Sequence, residues 1–142
     1  MRQEKLEERV YDALGELEDI FNLELSFYPE VHWLGRQGDF NSLQLSEEYR
    51  KIVETNRKDG GSAYLYTPNM IVINKDSPMH IFEEVSHCFH YSNTDLLMLE
   101  KSHKDWFATS VMAEMFAFLG SNLLGMDRKN RYEDFPDYFQ LG

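Results

Sequence analysis

The spacing of apolar residues along the chain predicts four helices. Over residues 3–22 apolar side chains recur every three or four positions, which is the period of an amphipathic helix with one face on a core. Further helices are predicted over residues 46–57, 78–91 and 105–124. Ser46 is the predicted cap of the first of these, and the second opens with Ser77 as its cap and Pro78 at its first position. The last one is almost continuously apolar and predicts a buried core helix.

Alternating or β-branched apolar runs between these helices predict the strands. Residues 23–29 alternate apolar and polar side chains and predict one strand, and residues 31–34 predict a second, shorter one. Two more strands are predicted over residues 62–66 and 69–74, where a β-branched run suits a sheet. This order of elements is an α+β layout, and with no repeat or linker it predicts one domain over residues 1–142.

The charge balance narrows the range of partners. Fourteen Lys and Arg against 25 Asp and Glu give a formal charge of −11 and a pI near 4.8. Such a chain repels phosphate backbones and anionic lipid, so we expect neither a nucleic-acid nor a membrane partner. The single cysteine, Cys88, suits a reducing compartment, and the charged N-terminal stretch has no apolar signal core. We therefore expect a cytoplasmic protein.

The helix over residues 78–91 carries an unusual polar face. On a helical wheel its apolar residues fall on one side, and the opposite side collects histidines and glutamates. That polar side consists of His80, Glu83, Glu84, His87, His90 and Tyr91. Imidazole and carboxylate together are the usual ligands of zinc, iron and manganese, so the face is a candidate metal site. A solvated acidic face whose histidines bind nothing remains the alternative.

Spacing selects particular residues on this face. Glu83 and His87 are four positions apart, so their side chains project side by side and could hold one ion. Glu84 can reach a water on that ion. His80 lies seven positions before His87, about 10 Å along the axis, which is too far to share the metal.

A third ligand is predicted from the apolar helix. Glu114 is the single charged residue between Trp106 and Met126. A carboxylate in so apolar a stretch is costly unless it is paired, protonated or coordinated, and a metal held by the preceding helix would coordinate it. A surface-facing Glu114, or one bonded to a Tyr or Arg elsewhere, remains the alternative.

These residues resemble those of the zincin metallopeptidases. That family carries H-E-x-x-H on a helix, where the two histidines bind zinc and the glutamate is the general base. In the gluzincin branch a Glu from a following helix is the third ligand. The matching residues here are the E-E-V-S-H of positions 83–87 and Glu114 in A-E-M-F-A-F-L. The strand material over residues 63–74 also resembles the edge strand along which zincin substrates extend.

The resemblance implies both a fold and an activity. It implies a zincin-like α+β domain, with a small mixed sheet packed on an active-site helix and a C-terminal helix that bears the glutamate. It makes the protein a metal-dependent hydrolase, a metallopeptidase acting on peptides or proteins. Glu84 would be the base, and Glu83, His87 and Glu114 would hold a divalent metal ion, zinc first, with manganese or iron as alternatives.

The departure from the family lies at position 83, where Glu replaces His. Two carboxylates and one imidazole neutralise a 2+ ion, so its bound water is less acidic and harder metals become acceptable. A degenerate, inactive zincin that acts as a binding or regulatory module is therefore the main alternative. A di-iron site built on E-x-x-H at Glu84–His87 and Glu100–His103 is a third possibility, although these pairs are too close in sequence for successive bundle helices.

Overall fold

The computed structural model describes residues 2–34, 43–58, 62–65, 68–93 and 103–125, and over these the chain is a mixed α+β fold. Four helices and a three-stranded sheet make up the described part. In chain order they are α1 (Gln3–Phe21), β1 (Glu30–Trp33), α2 (Glu47–Lys58), β2 (Ala63–Leu65), β3 (Met70–Ile73), α3 (Pro78–Ser92) and α4 (His103–Gly125). The predicted α+β class is confirmed at this level.

The sheet has mixed polarity, with β3 at its centre. β1 runs parallel to β3 and pairs Val31 with Ile71, whereas β2 runs antiparallel and pairs Tyr64 with Ile71. All four residues of β3 are buried, as the β-branched run predicts. Among the described residues no other strand pairs with β2, so β2 forms an edge of the sheet next to α3.

Helices cover both faces of this sheet. Ile71 and Ile73 point into a core shared by α1, α3 and α4, while Val72 joins a smaller core against α2. The face of α1 predicted from its periodicity is the buried one, formed by Leu6, Val10, Ala13, Leu14 and Leu17. The layer of α1, α3 and α4 is the one that positions the candidate site.

The helix starts are partly as predicted. The Ser46 hydroxyl accepts a hydrogen bond of 3.3 Å from the Tyr49 N–H and caps α2, as expected. Pro78 is the first residue of α3 and Ser77 is its N-cap residue, as predicted, but the Ser77 side chain makes no capping hydrogen bond. The connection over residues 94–102 and the acidic, aromatic tail over residues 131–142 lie outside the described residues.

The predicted strand over residues 23–29 is wrong. Asn22 adopts a left-handed conformation that ends α1, and the chain then folds back along that helix. The Glu18 carboxylate accepts hydrogen bonds from the Leu25 N–H, at 2.9 Å, and from the Tyr28 hydroxyl. These bonds satisfy the segment without a neighbouring strand, so the alternating pattern is not used in a sheet. The shorter strand predicted over residues 31–34 is confirmed as β1.

The apolar helix α4 is buried on one side only, which corrects the prediction of a buried core helix. Ala113, Ala117 and Leu123 are buried, whereas Met115 and Phe118 are each about two-thirds exposed. The nearly uniform apolar sequence hides this asymmetry because it has no polar stripe to mark the outer face. None of the helices in the described part of the chain combines the length and the apolarity needed to cross a bilayer.

Candidate metal site

Helices α3 and α4 bring together the three residues predicted as metal ligands. One ligand atom each from Glu83, His87 and Glu114 lies within 4.8 Å of the other two. Glu83 and His87 are neighbours on one face of α3 because they are one turn apart. Glu114 reaches this pair from α4, with its Oε1 atom 3.5 Å from Nε2 of His87.

The 3.5 Å separation has the size expected of two ligands on one ion. A charge-assisted hydrogen bond between imidazole and carboxylate is shorter, at about 2.7–2.9 Å. Two ligand atoms that each lie about 2.0–2.2 Å from a tetrahedral zinc ion are about 3.3–3.6 Å apart. The distance between Nε2 of His87 and Oε1 of Glu114 therefore fits two ligands of one ion, and it equally fits a long ion pair between the two side chains. The nitrogen and oxygen donors suit zinc, manganese or iron.

Small residues where α3 crosses α4 set this spacing. A Cβ atom placed on Gly120 would overlap the Ser86 hydroxyl and lie 2.8 Å from the Ser86 Cβ atom. Ala117 and Ala113, one and two turns before Gly120, are also buried. The two helices approach closely because no larger side chain separates them. Ser86 immediately precedes His87, and Glu114 lies on the same helix as Gly120, so both contacts belong to the packing of α3 on α4.

We expect Gly120→Ala to lower the free energy of unfolding by about 1–3 kcal/mol, because the new methyl group forces the helices apart. Metal affinity should fall with it, since Glu114 moves away from His87. Gly15→Ala is the matched control: a Cβ atom there meets nothing within 4 Å, so it should stabilise α1 by about 0.5–1 kcal/mol. Denaturant unfolding measures both variants.

The double variant Ser86→Gly/Gly120→Ala moves the side chain from one helix to the other and should recover part of the lost stability. An unchanged unfolding free energy in the single variant Gly120→Ala would contradict the close crossing.

Glu84 is buried beneath β2 instead of lying on the open polar face of α3. It is 7% exposed, and its carboxylate accepts a hydrogen bond from the Tyr64 backbone. Burial, together with the charges of Glu83 and Glu114, raises the pKa of Glu84 to about 8, although the bond from Tyr64 opposes the rise. The helical wheel placed Glu84 on the polar side of α3, and β2 packs on that helix where Glu84 lies.

The His87 ring is poised to act as a neutral ligand. Burial lowers its pKa, although the charges of Glu114 and Glu83 act in the opposite direction. Its side chain is 12% exposed, and its second ring nitrogen, Nδ1, has no hydrogen-bond partner among the residues that the structure describes. None of the residues that the structure describes fixes this ring through a hydrogen bond to Nδ1. It packs against Tyr91, with ring centroids 6.2 Å apart.

Glu114 is exposed. The sequence argument that a carboxylate in so apolar a helix is costly unless it is coordinated therefore does not hold. Its side chain is 71% exposed, so the carboxylate pays no large desolvation penalty in α4. Glu114 differs from an ordinary exposed glutamate in the amount of negative charge around it. It shares one small region with Glu83 and Glu84, in a chain whose formal charge is already −11. The site therefore concentrates negative charge that a bound cation would offset.

The other histidines of α3 do not join this group. The structure leaves His80 out of it, in agreement with its predicted distance. His90 stacks on Phe116 of α4 with ring centroids 5.0 Å apart. Burial lowers the pKa of His90, and the nearby His87 imidazole acts in the same direction. His90 therefore helps to join α3 to α4.

Two residues next to the group were not predicted to belong to it. Tyr91 was placed on the polar face of α3 and given no role, yet its ring contacts that of His87. Its position one turn after His87 was the available signal. The backbone of Tyr64, in β2, makes a hydrogen bond to the Glu84 carboxylate. No local sequence feature predicts that contact.

No protein-family model, no curated protein and no solved structure matches this chain. Its function must therefore follow from the geometry and chemistry of these side chains.

Proposed function

We propose that this chain is a metal-dependent hydrolase of the zincin-like metallopeptidase type. Glu83, His87 and Glu114 are its metal ligands, and Glu84 is its general base. The observation that carries the proposal is the convergence of three ligand atoms from two helices within 4.8 Å, with a buried carboxyl group one residue along α3 from the first of them.

The charge of the site favours a cation. Three carboxyl groups converge there, and their mutual repulsion is part of the reason that the pKa of Glu84 is raised. A divalent ion would offset this charge, and one imidazole with two carboxylates suits zinc, manganese or iron. A bound ion would supply Lewis acidity toward a carbonyl oxygen and would make a nearby water more acidic.

Glu84 carries the proton transfers of the reaction. As the water oxygen bonds to the carbonyl carbon, the Glu84 carboxylate accepts a proton from that water. The carboxylic acid then gives the proton to the departing amine nitrogen as the carbon–nitrogen bond breaks, so Glu84 ends the cycle ionised. Its carboxylate is a stronger proton acceptor than an ordinary glutamate because burial raises its pKa, and a bound cation would offset the part of that rise that comes from Glu83 and Glu114.

The sheet edge favours an extended peptide as the substrate. β2 is a three-residue antiparallel edge strand, and the Tyr64 backbone touches Glu84. A peptide that paired with the outer side of β2 would pass close to the base, and main-chain hydrogen bonds would hold it there. We place the activity in the cytoplasm, where the buried thiol of Cys88 stays reduced.

A degenerate zincin that binds a partner without cleaving it is the second candidate. Glu83 stands where the family has His, and with Glu114 it neutralises a divalent ion. His87 also has no hydrogen-bond partner at Nδ1 among the described residues, whereas metal-binding histidines usually have one. Both features weaken the chemistry of the site and leave its shape intact.

The test is cleavage of a quenched fluorescent peptide library by protein loaded with zinc, manganese or iron(II). We expect cleavage that a chelator abolishes and that Glu84→Gln lowers by about 10²–10⁴-fold, the usual contribution of a general base. Glu83→His should raise it by about tenfold, equivalent to about 1.4 kcal/mol of barrier, because the ion keeps a net positive charge.

Each outcome separates the candidates. An inert parent whose Glu83→His variant cleaves the library would favour the degenerate zincin. Inert protein in every variant and with every metal would rule out the hydrolase.

A further inference from the structure

An apolar cavity lies where α1, α3 and α4 meet. Its volume is about 250 Å³, and none of the three candidate metal ligands lines it. All three helices contribute apolar residues to its walls, namely Ala13, Pro78, Ile81, Phe82 and Leu124. Small-molecule sites in proteins usually measure about 300–1,000 Å³. The cavity therefore suits one bulky apolar side chain better than a cofactor.

An acidic groove on the outer side of α1 continues from this cavity. Its volume is about 600 Å³, and it shares Asp12 and Glu16 with the cavity. No Lys or Arg of the described chain lines the groove, and its other charged residues are Glu18, Asp19 and Glu24. Arg9, at the cavity, pairs with Asp76 at 3.3 Å. A ligand that occupied both the cavity and the groove would meet apolar walls at one end and carboxylates along the rest.

Gly15 lines the groove in the middle of α1. Glycine inside a helix lowers the stability of that helix relative to alanine. A Cβ atom at this position would meet nothing within 4 Å, so close packing inside the described chain does not account for the glycine. The missing side chain instead leaves open space in the groove, where a ligand could approach the backbone of α1.

We propose that the cavity and the groove together bind a basic segment of another protein. One bulky apolar side chain of that segment enters the cavity, and its Lys or Arg side chains lie along the groove. Charge complementarity identifies the partner: the groove is acidic and the chain carries a formal charge of −11, so it attracts a basic segment and repels a second copy of itself. This inference does not depend on the proposed hydrolase function.

The test begins with a phage library of random short peptides, selected on the immobilised full-length protein in chelator. We expect the selected peptides to be rich in Lys and Arg and to share one Leu, Ile, Met or Phe. Replacing that residue by Ala should weaken binding by about 10–10²-fold, because the peptide then leaves the cavity empty. Raising the NaCl concentration from about 50 to about 500 mM should also weaken binding, since salt screens the charges. Fluorescence anisotropy of the labelled peptides measures each Kd.

Variants of the protein locate the binding surface. Gly15→Gln places a side chain in the groove and should weaken peptide binding by at least about tenfold, while Tm stays the same or rises because Gln is the better helix former. Asp12→Asn/Asp19→Asn removes two charges from the groove and should weaken binding by about 3–10-fold. The matched control is Glu47→Gln/Glu48→Gln, which removes two exposed charges from α2 and should leave binding unchanged.

Three results would overturn the proposal. The first is a library that yields no binders, or binders without basic residues. The second is peptide binding that Gly15→Gln leaves unchanged, which would place the peptide elsewhere on the protein. The third is a dimer of the parent in sedimentation that Gly15→Gln dissociates, which would assign the surface to a second copy of the chain. Because chelator is present throughout, none of these results bears on the metal site or the hydrolase.

Discussion

Replacing Glu84 by Gln is expected to raise the free energy of unfolding of the metal-free protein at pH 8 by about 3 kcal/mol. The reason is that Glu84 is buried beneath β2 beside two other carboxyl groups, so its ionised form is poorly solvated in the folded chain. Gln keeps the size of the side chain and an oxygen that can accept the bond from Tyr64. It removes the charge that opposes folding.

The dependence on pH has a definite sign. The pKa of Glu84 is raised from 4.5 in the unfolded chain to about 8 in the folded one. Its contribution to stability is therefore fully present below pH 4.5 and is lost as the pH rises to 8. At about 1.4 kcal/mol per pH unit, this difference sets an upper limit of about 5 kcal/mol on the loss.

Urea unfolding at pH 5 and pH 8 in chelator, on the parent and on Glu84→Gln, measures this effect. The control is Glu8→Gln, which neutralises an exposed carboxylate on α1. The parent and Glu8→Gln should lose stability between the two pH values, and Glu84→Gln should lose much less. An equal loss in Glu84→Gln and the parent would show that Glu84 is not buried as an ionisable group.

Metal binding is expected to stabilise the folded chain strongly, and His87→Ala to abolish that effect. At free zinc 100 times above Kd, binding to the folded state alone adds about 2.7 kcal/mol. For a chain of 142 residues this corresponds to a rise in Tm of roughly 10 °C. Without the imidazole of His87 the site keeps only two carboxylates, and Glu114 loses the neighbour that faces it at 3.5 Å.

Thermal unfolding with and without zinc gives the comparison. His80→Ala is the matched control, because His80 lies on the same helix and is not part of the ligand group. The parent and His80→Ala should gain the same rise in Tm with zinc, and His87→Ala should gain none. A rise retained in His87→Ala would place the bound metal elsewhere.

Local sequence patterns predicted the features that are determined within a single helix or strand. Glu83 and His87 face one another because a single helical turn separates them, whatever the rest of the chain does. The buried face of α1 likewise follows from its own periodicity. The strand β3 follows from a β-branched run that is too apolar to be exposed.

The sequence predictions were wrong where contacts between different helices and strands determine the structure. Glu84 belongs to the polar side of the α3 wheel, yet it is buried because β2 packs over it, and the sequence of α3 contains no sign of β2. The alternating pattern over residues 23–29 predicted a strand. In the structure this segment instead makes hydrogen bonds to Glu18, a residue of the preceding helix.

The sequence did not predict which face of α4 is buried, for a related reason. Its sequence is nearly all apolar, so hydrophobicity marks no outer face. The face toward α3 is marked instead by small residues, Ala113, Ala117 and Gly120, which allow close approach. Glu114 was chosen as a ligand on the assumption that it was buried. The structure brings it to His87 through that close crossing, although it is largely exposed.

The most direct test of the central claim is the metal content of protein purified without chelator, measured by elemental analysis beside His87→Ala. If Glu83, His87 and Glu114 form a metal site, the parent holds about one equivalent of zinc, manganese or iron and His87→Ala holds none. A parent that contains no metal, and takes up none after incubation with each ion, would contradict the metal site and the hydrolase built on it.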